Sequence, residues 1–275
     1  MTTDSVPSNA ATTNAPLRSS LASESLLFAN RLFTHWRREP VVAIQALLYP
    51  SFLLITYYFL VAKSMMNVTG KDTLYGLVPT CAIAGAVLGA LAASSTLHME
   101  RDHGLLSRFW VLPVHRASAL TGRLLADATR TLAGTVVITA VGAGLGLRFN
   151  GSLFAVIPFM LVPVAVGVVF STAMIAIAVR SADNKLLIWL GVPAIAMVFA
   201  SSGAPPIEMM PSWVQPLIRF QPMWAAVDSM RALAEGRPAL SSLLVTLAWG
   251  VGLAAVVVPV AIRGYRTAAE SGTLA

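Results

Sequence analysis

Six runs of about 20 apolar residues constrain this chain more than any motif in it; they fall at 41–62, 74–97, 118–147, 153–178, 185–202 and 239–262. Lipid offers no hydrogen bonds, so a segment that crosses it must satisfy its own backbone, and a helix of that length spans a hydrocarbon core about 30 Å thick. The central portions of the runs contain no Asp, Glu, Lys or Arg. That pattern fits a cost of roughly 2.5 to 3.5 kcal/mol for one charge at mid-membrane. Only 11% of the residues are charged and mean hydropathy is +0.73, whereas about a quarter of a soluble protein is charged. The sequence therefore predicts an all-α integral membrane protein with six transmembrane helices. Pro50, Pro79, Pro158, Pro163, Pro193 and Pro259 fall within the runs and are expected kinks.

The net charge of +7 invites a nucleic-acid reading, but Lys and Arg stand between the apolar runs rather than on one soluble face. No nucleic-acid partner is expected, and membrane topology accounts for the charge. Of the 19 Lys and Arg residues, 13 fall in the N-terminal segment, the 98–130 region, the 179–185 turn and the C-terminal tail. The positive-inside rule then places both termini in the cytoplasm of a multi-pass plasma-membrane protein. The one cysteine, Cys81, lies inside an apolar run and reads as a small packing residue.

Residues 1–20 are rich in Ser, Thr, Asn, Ala and Pro and are expected to be a disordered cytoplasmic tail, as are 267–275. Over 21–39, Ala29, Leu32, Phe33 and Trp36 fall on one helical side and Arg31, Thr34, His35 and Arg38 largely on the other. This predicts an amphipathic helix in the membrane interface; a soluble helix packed on a partner fits the same pattern. The first turns of the third span carry Arg123, Asp127 and Arg130 at spacings of four and three, hence on one face, where Asp127 can pair with either arginine. This end is expected to project into the cytoplasm, with a buried charged triad on a transport path as the alternative. Between spans five and six, Pro205, Pro206, Pro211, Pro216 and Pro222 exclude one continuous helix. A helical turn over 212–215, with Trp213 at the membrane boundary, and a short helix over 223–234 carrying Arg231 and ending near Gly236 predict re-entrant segments. An ordinary extracellular loop is the competing reading.

The chain lacks a phosphate-binding loop: Gly70-Lys71-Asp72 has neither the upstream glycine nor the following hydroxyl. HExxH, paired CxxC and GxSxG are absent too, and His35, His98, His103 and His115 stand at no metal-ligand spacing. No enzyme activity, catalytic residue, metal or cofactor is expected in this chain. No acidic cluster holds magnesium against a diphosphate, and no ionisable residue stands at mid-span to couple an ion gradient. Gly85-Ala-Val-Leu-Gly89 and Gly142-Ala-Gly-Leu-Gly146 match the small-residue pattern that lets helices approach closely.

One charged, aromatic island interrupts the hydrophobic sequence at 98–116: Glu100-Arg101-Asp102-His103-Gly104-Leu105-Leu106, then Ser107-Arg108-Phe109-Trp110-Val111-Leu112-Pro113. A short helix bearing Leu105, Leu106, Phe109 and Trp110 presents an apolar face suited to a partner's groove, with Arg108 and Arg116 at its rim. The same face could instead rest on the lipid surface.

The island resembles the cytoplasmic loop of ABC-2 type exporter permeases, in which an acidic-basic pair and a glycine precede a short helix and a proline. Glu100, Arg101, Gly104, Leu105 and Pro113 are the matching positions. The run from Leu105 to Ser118 is most similar to the daunorubicin-resistance, lipid-export type of actinobacteria. The likeness extends through the interfacial helix, the six spans, Pro211-Ser-Trp213, Gln221-Pro222 and Arg231. It implies an ABC-2 transmembrane domain over 40–266 whose coupling helix between spans two and three docks on a separate ATPase subunit. That partner would bind ATP and Mg, and the permease would pair with a second copy or a related permease among membrane lipids. The complex would export a hydrophobic drug or lipid-like substrate. Leu105 and Ser107 depart from the small hydroxyl and acidic residues common at those places. A non-transporting scaffold or sensor of the same architecture is the second reading.

Overall fold

The computed structural model describes residues 20–38, 40–69, 72–102, 118–180, 185–201, 207 and 210–271. In chain order these form helices α1 (Leu21–Arg38), α2 (Pro40–Thr69), α3 (Leu74–Asp102), α4 (Ser118–Leu145), α5 (Val156–Ala178), α6 (Lys185–Ala200), α7 (Gln215–Arg219), α8 (Pro222–Glu235) and α9 (Leu240–Ser271), with a single 3-10 turn at Leu153–Ala155. Among the described residues, four stretches are long and apolar enough to cross a membrane: Leu74–Leu97, Ser118–Leu145, Leu153–Ala178 and Leu240–Gly264. The other two expected spans lie on α2, a 30-residue helix, and on α6, which is apolar but only 16 residues long.

Helix α3 is the hub. It packs against α2, α4, α5, α6 and α8, and 72% of its apolar stretch is buried, against 6% for α9 at the periphery. Composition explains the difference: Cys81 to Ser95 is mostly Ala, Gly and Ser, and small side chains let several helices approach one axis. Around it lies a core that includes Leu54, Leu77, Ile83, Ile138, Phe159 and Met230, with Phe149 edge-on to Phe159 at 5.1 Å. Cys81 is fully buried within this core, as its apolar setting implied.

The prolines divide as backbone chemistry requires. Pro50, Pro79, Pro163, Pro193 and Pro259 sit inside helices. Pro158 does not kink a span as expected: it falls in the first turn of α5, where its amide has no intrahelical partner to lose. Helix α4 ends in a left-handed Gly146 (φ 117°), with Leu147 N–H on the Gly142 carbonyl and Gly146 N–H on that of Ala143, the bond pair that closes a helix C-terminus on glycine. The second small-residue motif therefore splits its work: Gly142 admits Val78 of α3, while Gly146 is a helix stop.

The proline-rich segment follows the expected outline. A turn at 212–214 leads into α7 with Pro216 as its second residue, and α8 begins at Pro222 and is capped by Gly236. Gln221 donates from Nε2 to Ser201 Oγ at 2.5 Å, tying the start of α8 to the end of α6. Gly236 has φ 75°, and a Cβ there would lie 3.1 Å from the Asn150 carbonyl carbon. Gly236→Ala is expected to lower stability by about 2 kcal/mol, since the left-handed conformation alone costs roughly 1–2 kcal/mol with a side chain. Thermal unfolding in detergent reads this directly; Gly144→Ala, whose Cβ would meet no described atom within 4 Å, is the matched control.

Candidate functional site

The feature that joins the most elements is a chain of ion pairs at the C-terminal end of α3. This helix runs past the expected span to Asp102, so Glu100 and Arg101 lie on its last turns. Glu100 accepts from Arg123 Nη1 of α4 at 2.9 Å and faces Arg31 Nη2 of α1 at 3.6 Å. Arg123 also donates from Nη2 to the Ala93 carbonyl at 2.9 Å. One carboxylate thus binds three helices. The Arg123 and Glu100 side chains are only 10% and 18% exposed, so the pair is screened far less than a surface bridge.

The remaining charges of α4 form a second layer deeper in the bundle. Asp127 is buried, accepts from Ser171 Oγ of α5 at 2.5 Å and lies 3.5 Å from Arg130. The guanidinium of Arg130 occupies the place of a missing side chain on α3, since a Cβ on Gly89 would come within 1.8 Å of its Nη1. The first small-residue motif is therefore also divided. Gly85 makes the helix contact expected of it, with Pro50 Cγ of α2 3.2 Å from its would-be Cβ, while Gly89 makes room for a charge.

The three α4 charges share one face, as their spacing requires, and that face turns into the bundle. Arg123 and Asp127 are buried, because a buried charge is tolerable when partners surround it, and Glu100, the Ala93 carbonyl and Ser171 do so. Asp127 pairs with Arg130, and Arg123 is taken by Glu100 instead.

Helix α1 keeps the two sides of its amphipathic pattern, with Arg31, Thr34 and Arg38 exposed. It docks along α4 with Glu24, Ser25 and Ala29 buried, leaves Phe28, Leu32, Phe33 and Trp36 half-buried, and exposes Leu26 and Leu27. The hydroxyls of Ser25 and Thr121 lie 2.6 Å apart. This closeness depends on Gly122, where a Cβ would come within 2.6 Å of the Ser25 carbonyl oxygen.

Of the other island positions, Arg101 is placed on α3 by its backbone, while Gly104, Leu105, Leu106, Phe109, Trp110 and Pro113 lie outside the described residues. Pro211, Trp213, Pro216, Pro222 and Arg231 gather between α6 and the end of α8, with Trp213 75% exposed. Sequence reasoning missed Ser171 and Gly122, and it placed Arg31 on a polar helix face and Gly89 in a packing motif without their partners; each acts on a residue of another helix, which local spacing does not report. Among the described residues, no group of three or more His, Cys, Asp or Glu could hold a metal.

Residues 25–234 match the ABC-2 type transporter family. The chain is 36% identical over 247 residues, 90% of its length and 89% of the relative's, to the "Probable doxorubicin resistance ABC transporter permease protein DrrC" of Mycobacterium tuberculosis. It is 25% identical over 252 residues, 91% of its length and 89% of the relative's, to the "Daunorubicin resistance ABC transporter permease protein DrrB1" of Streptomyces coeruleorubidus. The resemblance carried by the island thus extends over the whole helical bundle, and the chain belongs to the ABC-2 type transporter family.

Proposed function

We propose that this chain is the six-span membrane subunit of an ATP-driven exporter, moving a hydrophobic or amphipathic drug or lipid-like substrate outward. It works beside a separate ATPase that binds ATP and Mg, and as a dimer with a second copy or a related permease. In this reading 40–266 is the transmembrane domain, 21–39 lies along the cytoplasmic interface and both termini are cytoplasmic. The 203–238 segment re-enters the outer leaflet through α7 and α8, and Pro211, Trp213, Pro216, Pro222 and Arg231 shape it.

The observation that carries the proposal is the position of Glu100. The island from Arg101 to Pro113, with Gly104, Leu105, Leu106, Phe109 and Trp110, is the ATPase contact in this reading, and it directly follows the carboxylate that joins α1, α3 and α4. A push on the island reaches three helices at once through Arg31 and Arg123, and α5 through Asp127 and Ser171. Largely apolar spans, with the charges of α4 paired inside the bundle, suit an apolar cargo.

Reconstitution with a partner ABC ATPase tests this. Glu100→Ala is expected to leave basal ATP hydrolysis in place while substrate stimulation and transport fall about tenfold or more, the equivalent of roughly 1.4 kcal/mol of lost coupling. Exchanging the charges, Glu100→Arg with Arg123→Glu, is expected to restore part of the loss. Unchanged stimulation and transport in Glu100→Ala and in Gly104→Pro would overturn the proposal, as would a wild-type complex that hydrolyses ATP and moves nothing.

A further inference from the structure

Helices α5, α6 and α9 and the first residues of α8 enclose a partly open groove of about 290 Å³. Ala173, Ala194, Met197, Thr246, Trp249 and Gly250 are among its walls. Folded interiors rarely keep a space this large, since they are packed to crystal-like density with few voids larger than a water. Water is a poor filler, because an ordered water needs two to four polar partners. The lining carries two polar side-chain atoms, Thr246 Oγ1, whose proton is already given to the Ser242 carbonyl at 2.8 Å, and the Trp249 Nε1–H.

The groove is also shaped by absence of side chains. A Cβ on Gly250 would meet no described atom within 4 Å, so a mid-helix glycine faces the open space directly. Its walls on α5 and α9 belong to two of the long apolar stretches, and α9 buries only 6% of its own. The groove therefore opens along stretches long and apolar enough to lie in hydrocarbon. A gap lined by carbon atoms forfeits dispersion contacts until matching carbon fills it. The volume lies at the lower edge of the roughly 300–1,000 Å³ that hold drug-sized ligands, which suits one chain rather than a whole lipid. Phe220 stacks edge-on against Trp249 at 5.6 Å, linking this wall to α7.

We infer that this groove is a binding site for a single hydrocarbon chain of a membrane phospholipid, wedged between α5, α6 and α9. The site is distinct from the charged junction at Glu100 and is filled whatever cargo the assembly moves. Its occupant joins the peripheral α9 to the bundle and packs against α6, the helix that Gln221 ties to α8.

The test uses the full-length chain in liposomes containing phosphatidylcholine with a photoactivatable diazirine on its acyl chain, with adducts mapped to single residues by mass spectrometry. Adducts are expected to concentrate on Ala173, Met197 and Thr246 relative to the outward-facing Leu161 and Leu247, which are 53% and 62% exposed. Gly250→Leu and Ala194→Leu, filling the groove from opposite walls, should each lower groove labelling several-fold. Gly252→Leu, where a Cβ also meets no described atom but the groove is not lined, should not. Equal labelling of groove and outer residues, or labelling unchanged in both filled variants, overturns the inference. So does displacement of the adducts by added cargo, which would make the groove a transport site. A disulfide between two copies bearing Gly250→Cys would also overturn it, by showing that protein occupies the groove.

Discussion

Asp127→Ala is expected to destabilise the protein by about 3–5 kcal/mol, the range for removing one partner of a buried ion pair. The carboxylate is buried and serves both Ser171 and Arg130. Without it the Arg130 guanidinium stays enclosed over Gly89 with its charge unbalanced, and the bond from Ser171 of α5 to α4 is lost. Thermal unfolding of the detergent-solubilised chain measures the effect. The informative partner is the double variant Asp127→Leu with Arg130→Met. Replacing both charges by apolar groups of similar size is often neutral, so stability should largely return. If the double variant stays as unstable as the single one, the ion pair is not what holds this layer together. If it regains stability and also transports normally, the pair has no part in passing motion from α4 to α5.

Gly122→Leu is expected to separate α1 from α4. A Cβ at that position would come within 2.6 Å of both the Phe28 Cβ and the Ser25 carbonyl oxygen, and a backbone oxygen cannot rotate aside as a long side chain can. Overpacking of this kind costs typically about 1–3 kcal/mol, and the cheapest relief is for α1 to leave, with the Ser25–Thr121 contact and the Arg31–Glu100 pair. Cysteines replacing Ser25 and Thr121 should form a disulfide in the parent and fail to do so with Gly122→Leu present. Efficient cross-linking in that background would show that α1 docks by some other contact. Gly144→Leu, meeting no described atom, should leave the disulfide intact.

Much of the architecture was legible because its causes are local. Mean hydropathy over about 20 residues located the long helices, since lipid requires each span to be apolar along its own length. Glycine marked the end of α8, since only a residue without Cβ takes a positive φ freely. Proline marked the start of α8, where a missing amide donor does no harm. The shared face of Arg123, Asp127 and Arg130 followed from the helical repeat alone. Local rules stopped at the face and did not reach the partner. The helical repeat put the α4 charges on one face without showing what buries them, and the apolar side of α1 was readable while the inward turn of Glu24 and Ser25 was not.

The sequence by itself determined that this is a helical membrane protein without a phosphate-binding loop, and its charged island pointed to the ABC-2 family. Only the tertiary structure decided how the charges pair. Glu100 and Arg123 are 23 residues apart, Asp127 and Ser171 are 44 apart, and Ser25 and Thr121 are 96 apart. Hydropathy and periodicity report what one helix needs of its surroundings, and they are silent about which neighbour supplies it. Glu100 could be read from the sequence as part of a loop motif; that it joins α1, α3 and α4 depends on helices brought side by side around the small residues of α3.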